Sequence, residues 1–434
     1  MSLLKWAMMV AAMMVVCLPV HADPYAELTA RRQPVVDPAY FGTHFHRLVT
    51  IQGENKLLTQ WPDRLIGSMR LWDTGTRWAD ILLSVGQWNF ERMDAYVEQA
   101  TLHHAAILYT LGSTPRWASA RPEESCPYGM GCAAEPVRMA HWEEYVRRVA
   151  QRYRGRISAY ELWNEPYFSD IARDRGLPSF YSGSVAQMVE MARIARKVLD
   201  EVDPGAVLST PGFVNGSDRL DLFLASGGKR YVQAVAYHFY SDDSRQFVSQ
   251  VLDVRAIMKR HGLEYLPLWN TETGLEVYPP EQSLPAGAQG WTHTEAASRM
   301  AQFLVLGAAA GLQRFYYYAW DNERSGMFTP AGARLPAWDS YERVQSWLLG
   351  AVMHGCAAMP PKGVRCEVEL AGKRFLIVWA DQASMHTITM PSGQRAISIE
   401  NLYASASRPI ADASHPLKLM LGSDPARILL ESTR

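Results

Sequence analysis

An imbalance of charge is the first thing missing from this chain. Its 434 residues carry 43 Lys and Arg against 44 Asp and Glu, a net charge of −1, with no basic cluster. A nucleic-acid partner, which needs a positive face for phosphates, is therefore not expected. Cysteine is scarce, five residues in all, and no histidine flanks them at zinc-ligand spacing, which argues against a structural zinc site. The first strand-like segment is not followed by a Gly-rich loop, so the phosphate cradle of an open dinucleotide-binding sheet is lacking. The apolar run from Trp6 to Pro19 is too short to cross a bilayer. With Lys5 before it and Val20-His21-Ala22 after it, residues 1–22 read as an export leader, and the mature chain as starting at Asp23. Cys17 leaves with that leader. The spacing of the remaining four in an oxidising compartment suggests two local bridges, Cys126–Cys132 and Cys356–Cys366. The expectation is an exported chain, periplasmic or extracellular and monomeric. It needs no cofactor or metal, and no membrane once mature.

Aromatic residues are plentiful, with fourteen Trp and twenty Tyr. Many fall at strand ends and in loops, where functional residues concentrate. Sugars, whose C–H faces stack on such rings, are a fitting ligand. Strand-like runs recur at 40–46, 66–72, 105–111, 157–165, 206–210, 231–240, 268–274 and 313–320. Between them lie helical patterns. In Glu91 to His104, Met93, Tyr96, Val97 and Ala100 share one face. Pro136 to Tyr153 places a proline at a helix start, and Gly262 closes Ser244 to His261. Eight strands alternating with helices predict an α/β chain, a (β/α)₈ TIM barrel over residues 23–350. From Ala351 short strands with Gly, Asp and Pro turns predict an all-β, sandwich-like domain over 351–434, with residues 25–36 as a candidate addition to it. Trp379 lies within one of these strands, which favours a domain that braces the barrel over one that binds polymer.

Barrels of this kind build their sites at the carboxyl ends of the strands. Strand four ends in Trp163-Asn164-Glu165-Pro166 and strand seven in Trp269-Asn270-Thr271-Glu272. Two carboxylates in different environments make an acid and a nucleophile for breaking a glycosidic bond, at a separation of about 5–5.5 Å if configuration is retained. Glu272 must be ionised, and Arg70 on strand two and Tyr240 after strand six are expected to keep it so by lowering its pKa. Glu165 must start protonated, and acts as base once the Glu272 charge is consumed. Asn164 is placed to hold a sugar 2-hydroxyl. His238 shares a face with Tyr240, and Trp117 rides on the loop 112–135 that holds the first bridge. Trp320 at the end of strand eight has two readings, a floor under the sugar or core packing. His44, beside His46, is a hydrogen-bonding residue or half of a metal pair. The blander readings are an edge-strand Arg70 and a structural Glu272, with Glu161, Glu264 and Glu276 as competing carboxylates.

These residues resemble clan A of the glycoside hydrolases. In that clan, glutamates ending strands four and seven are the acid/base and the nucleophile of a retaining mechanism on a (β/α)₈ barrel. Arg70 and the His238-x-Tyr240 pair match further clan positions. Trp88-Asn89-Phe90-Glu91-Arg92-Met93-Asp94 is similar to a segment of family 39, whose barrel is also followed by β structure. The resemblance implies a retaining glycosidase. In family 39 β-xylosidases an aromatic usually follows the nucleophile, whereas Thr273-Gly274 follows Glu272. The leader and Trp269-Asn270-Thr271-Glu272 look more like the bacterial endoglycosidases that trim biofilm exopolysaccharide. An endo-acting enzyme on a polysaccharide is the first expectation, an exo-acting β-xylosidase-like enzyme on oligosaccharides the second, and a non-catalytic sugar-binding barrel the third.

Overall fold

The computed structural model describes residues 23–28, 34–54, 58–278, 290–322, 324–410 and 416–433. The expected leader over 1–22, and most of the loop 275–291, lie outside them. Eight parallel strands form the centre: β1 (Phe41–Thr43), β2 (Ser68–Leu71), β3 (Ala106–Thr110), β4 (Ala159–Glu161), β5 (Val207–Ser209), β6 (Val235–His238), β7 (Leu268–Thr273) and β8 (Arg314–Tyr317). Their order around the sheet is β6-β7-β8-β1-β2-β3-β4-β5. A parallel bridge from Ser209 to Ala234 joins the last to the first. The expected barrel is present.

The helices that wrap it are α1 (Glu91–Leu102), α2 (Met139–Arg152), α3 (Val185–Val202), α4 (Asp218–Ala225), α5 (Ser244–Arg260), α6 (His293–Ala309) and α7 (Pro336–Leu348). The face of α1 that carries Met93, Tyr96, Val97 and Ala100 is buried, as its spacing predicts. Ser184 starts α3 and Thr292 starts α6 through reciprocal bonds with Gln187 and Glu295, which satisfy amides that the first turn leaves unpaired. Helix α2 begins three residues later than the proline at 136 suggests. Pro136 instead pairs with Ser119 in an antiparallel bridge, so it belongs to the loop.

After the barrel come β9 (Val352–Met359), β10 (Gly363–Leu370), β11 (Lys373–Ala380), β12 (Ser384–Ile388), β13 (Gln394–Asn401), β14 (Arg408–Pro409), β15 (Leu417–Leu421) and β16 (Ala426–Ser432). Six make a sheet in the order β9-β10-β11-β16-β13-β14, and β12 pairs with β15. Met353, Val364, Val368, Phe375, Ile377 and Trp379 join the barrel's hydrophobic core, while Leu376, Val378, Ile388, Leu417 and Ile428 form a second, smaller core. The sheet is therefore packed against the barrel through one face. Glu400 ties the two together, accepting from Arg343 at 2.6 Å, Arg427 at 2.7 Å and the Trp347 indole at 2.9 Å. Of residues 25–36, Pro24–Leu28 contributes a 3₁₀ turn, and Val36 exchanges two backbone bonds with Gly350 and Ala351.

Both expected bridges are formed. Cys356 and Cys366 face each other across β9 and β10, and both are buried. Their bond closes a segment whose ends are 10 residues apart. Replacing both by serine is expected to lower unfolding free energy by about 2–3 kcal/mol, through the freedom returned to the unfolded chain. Denaturant unfolding of the double variant against wild type measures it.

Candidate active site

Inside the barrel Leu108, Ala159, Ala234, Trp269 and Tyr316 pack into a plug. Side chains alternate along a strand, so two residues further on the same inward face reappears at the barrel mouth. From Leu108 this gives Thr110, from Ala159 Glu161, from Tyr316 Tyr318, and from Ala234 by two steps His238. Arg70 enters the same layer from β2. Glu272 breaks the rule, lying three residues beyond Trp269. The pairing of β7 slips by one residue against both neighbours, opposite Tyr237 and His238 and again between Asn270 and Thr273. This bulge supplies the odd residue and turns Glu272 inward, as bulges beside active sites do.

Arg70 is fully buried and serves several acceptors at once. Its Nη1 donates to Glu272 Oε2 at 2.7 Å, and its Nε and Nη2 donate to Glu161 Oε2 at 2.9 and 2.5 Å. Nη2 also donates to Asn164 Oδ1 at 2.7 Å. Arginine is the cation for this work, because its rigid fork presents five donors. The edge-strand reading of Arg70 is thereby replaced by that of a cation between carboxylates. Glu161 is a member of the network, not a competitor for the site: it also accepts from Thr110 Oγ1 at 2.8 Å. Tyr240 Oη donates to the other Glu272 oxygen at 2.7 Å. Burial, and then the Glu272 charge, push the Tyr240 hydroxyl well above the usual phenol range, so it remains a donor.

Glu165 follows β4 by four residues. Its N–H donates to Gly212 O at 2.9 Å, and it holds φ at 41°, where a residue with a side chain is strained. Gly212 cannot carry a side chain: a Cβ there would lie 2.4 Å from His238 Nε2 and 2.8 Å from Glu161 Oε1. His238 Nδ1 meets Glu165 Oε1 at 2.8 Å, while its Nε2 lies 3.5 Å from Arg70 Nη2. Arginine can only donate. Nε2 is therefore the lone-pair nitrogen, and Nδ1–H donates to Glu165. One oxygen of each glutamate and a nitrogen of His238 all fall within 4.8 Å of one another. A metal would find ligand atoms here, but the Arg70 guanidinium already supplies the cation on Glu272.

Both glutamates line one cavity of about 590 Å³, within the range of small-molecule sites. Asn164 and Tyr240 line it too, with His46, Trp72, Asp73, Tyr128, Phe180, Asn215 and Tyr318. Arg70 and His238 lie beneath the wall and act through the glutamates. Three of the expected binding residues are elsewhere. Trp320 is buried among Phe45, Phe328 and Trp338, so its core-packing reading holds. Strand β8 ends at Tyr317, and the ring on the cavity wall is Tyr318 instead. His44 is buried against Thr271 O at 3.2 Å, and burial pushes its imidazole well below the ordinary range. Trp117 is half-buried behind the loop, its indole donating to Leu82 O at 3.3 Å.

The expected lowering of the Glu272 pKa is not what the surroundings give. Burial pushes this carboxyl above its ordinary value, the Glu165 charge pushes the same way, and the opposing pull of Arg70 and the Tyr240 bond does not offset them. The physical reason is the water lost on burial, which penalises the charged form more than one guanidinium and one phenol donor repay. A nucleophilic Glu272 would have to be ionised, and kcat/KM is then expected to fall with decreasing pH along a limb above about 4.3, the ordinary glutamate value. Tyr240→Phe removes a donor to the charged form and should move that limb to higher pH. A limb that stays in place or moves down means that the Tyr240 bond does not hold the charge.

No protein-family model matches the sequence, and no curated protein matches it. Solved structures do. A glucosidase from Croceicoccus marinus superposes with TM-score 0.62 at 14% identity, over 93% of this chain and 98% of that one. A GH30 endoxylanase from Clostridium papyrosolvens gives 0.59 at 13% identity, over 93% and 98%. A GH51 arabinofuranosidase from Xanthomonas axonopodis pv. citri gives 0.56 at 11% identity, over 92% and 98%. At these identities the likeness establishes a common fold, a (β/α)₈ barrel with β structure after it.

Proposed function

We propose that this chain is a clan A glycoside hydrolase that cleaves by double displacement with retained configuration. The observation that carries the reading is the approach of one Glu165 oxygen to one Glu272 oxygen, within 4.8 Å, on one cavity. That spacing suits a covalent intermediate; inverting enzymes hold their carboxyls about 6.5–9.5 Å apart to admit water. The glycosidase neighbours agree with this reading.

Glu272 sits with Arg70 on one oxygen and Tyr240 on the other. Its carboxylate bonds to the anomeric carbon as Glu165 passes its proton to the glycosidic oxygen, and the leaving sugar departs as an alcohol. His238 donates to Glu165 Oε1, which leaves Oε2 to carry that proton. Ester formation cancels the Glu272 charge. Glu165, now a carboxylate, takes a proton from water, whose oxygen attacks the anomeric carbon and releases Glu272. Asn164, oriented by Arg70, is placed for the 2-hydroxyl.

The finer reading is an exported, family 39-like endo-enzyme on an exopolysaccharide. The two disulfides support export, and among the described residues no helix is long and apolar enough to cross a membrane. The test is a screen of soluble and cell-associated polysaccharides with product sizing, wild type against Glu165→Gln. Mixed oligomers from wild type alone support it. Monosaccharide alone indicates exo action, and equal release by both proteins removes Glu165 from the acid's role.

A further inference from the structure

The loop closed by Cys126–Cys132 is the second feature of the cavity with a distinct build. The bridge pinches Pro127-Tyr128-Gly129-Met130-Gly131 into a tight hairpin, Ser125–Cys126 against Gly129–Met130. Pro127 and Tyr128 at its tip line the cavity that holds both glutamates. The Tyr128 ring meets Trp72 edge-on at 5.5 Å and Phe180 at 5.4 Å, and Arg77 covers it at 3.8 Å. All three aromatic residues line the same cavity. Their elements are unrelated: the exit of β2, the loop after β3 and the loop after β4.

Asp73 joins this wall to the opposite one. It accepts from Tyr128 Oη and, at 2.8 Å, from Tyr318 Oη. Its φ of 59° makes it one of three left-handed residues on the cavity wall, with Glu165 and Asn215. Burial, and then the Asp73 charge, keep both phenols protonated as donors. The clamp thus fixes a ring whose hydroxyl is tethered across the mouth. None of these groups is needed to move the proton or to form the ester.

We propose that Tyr128, with Trp72 and Phe180, forms a subsite for a sugar unit next to the one whose bond is cleaved, and that Asp73 and the Cys126–Cys132 bridge are its positioning groups. The assignment rests on the glycosidase reading and adds to it the number of units held. The unit is uncharged. Among the described residues that line the cavity, the ionisable side chains are Asp73, Glu165, Glu272 and His46, with three tyrosine hydroxyls, and no Lys or Arg is among them to meet a uronate; Arg77, over the Tyr128 ring, is paired with Asp80 at 2.8 Å. Aromatic rings favour the apolar faces of neutral sugars.

Calorimetric titration of the full-length Glu165→Gln protein with cello- and xylo-oligosaccharides of one to four units tests this. Affinity should rise about tenfold or more beyond one unit, equivalent to about 1.4 kcal/mol. Adding Tyr128→Ala should abolish the rise and leave single-unit affinity within about twofold. Tyr128→Phe, which keeps the ring, should retain most of it. Cys126→Ser with Cys132→Ser should reduce the rise in the same direction, with melting temperature as the check on folding. A rise that survives Tyr128→Ala overturns the subsite, as do equal losses at every chain length or no binding of any sugar. Length-dependent binding without turnover by wild type would defeat the glycosidase reading alone.

Discussion

Glu272→Ala is expected to lose turnover by a factor on the order of 10⁴ or more, because it removes the carboxylate proposed to bond the anomeric carbon. The loss should be partly reversible. Azide fits the space left by the carboxylate and attacks from the same side, giving a glycosyl azide opposite in configuration to the substrate. In Glu165→Ala the glycosyl-enzyme still forms from a substrate with a good leaving group. Azide then attacks that intermediate and returns the substrate's own configuration. The two products assign the two roles independently. Azides of the same configuration, or more than a tenth of wild-type activity in Glu272→Ala, remove Glu272 from the nucleophile's position.

Arg70→Met is expected to destabilise the fold as well as abolish activity. The side chain is wholly buried, as are Glu161 and most of Glu272. Removing the cation leaves two desolvated carboxylates without a countercharge, a loss of about 3–5 kcal/mol for breaking a buried pair. The orphaned charges are the cause, so adding Glu161→Gln should recover part of the stability without recovering activity. Chemical denaturation of the single and double variants measures the coupling. If Arg70→Met unfolds like wild type, water reaches the network and the buried-pair description fails.

The outline of the barrel was legible because each strand is an apolar run flanked by turn residues and each helix shows its period. Glu165 and Glu272 stood out by position at strand ends, and Arg70 by being a cation within a strand. Other parts depend on distances that a sequence does not carry. Glu161 shares the inward face with Ala159 by simple alternation, yet nothing local separates a networked carboxylate from a solvated one. Trp320 and Tyr318 have the same parity along β8. Only the turn of the chain after Tyr317 sends one into the core and leaves the other at the cavity. The bulge at β7 is silent in sequence, and without it strict alternation would turn Glu272 away from the mouth. The direction of the Glu272 titration was misjudged for a related reason: donors can be counted along a chain, but the water lost on burial cannot. Strands β9, β13 and β15 mix buried and exposed positions, which weakened their period.

The most direct measurement is to trap the intermediate. A 2-deoxy-2-fluoro glycoside with a good leaving group slows both steps by withdrawing charge from the oxocarbenium-like centre, so the glycosyl-enzyme accumulates. Peptide mapping by mass spectrometry should then find one added sugar, on Glu272, and none in Glu272→Gln. A sugar on Glu165 or Glu161, or an unlabelled enzyme that releases product of inverted configuration, would contradict double displacement at this pair.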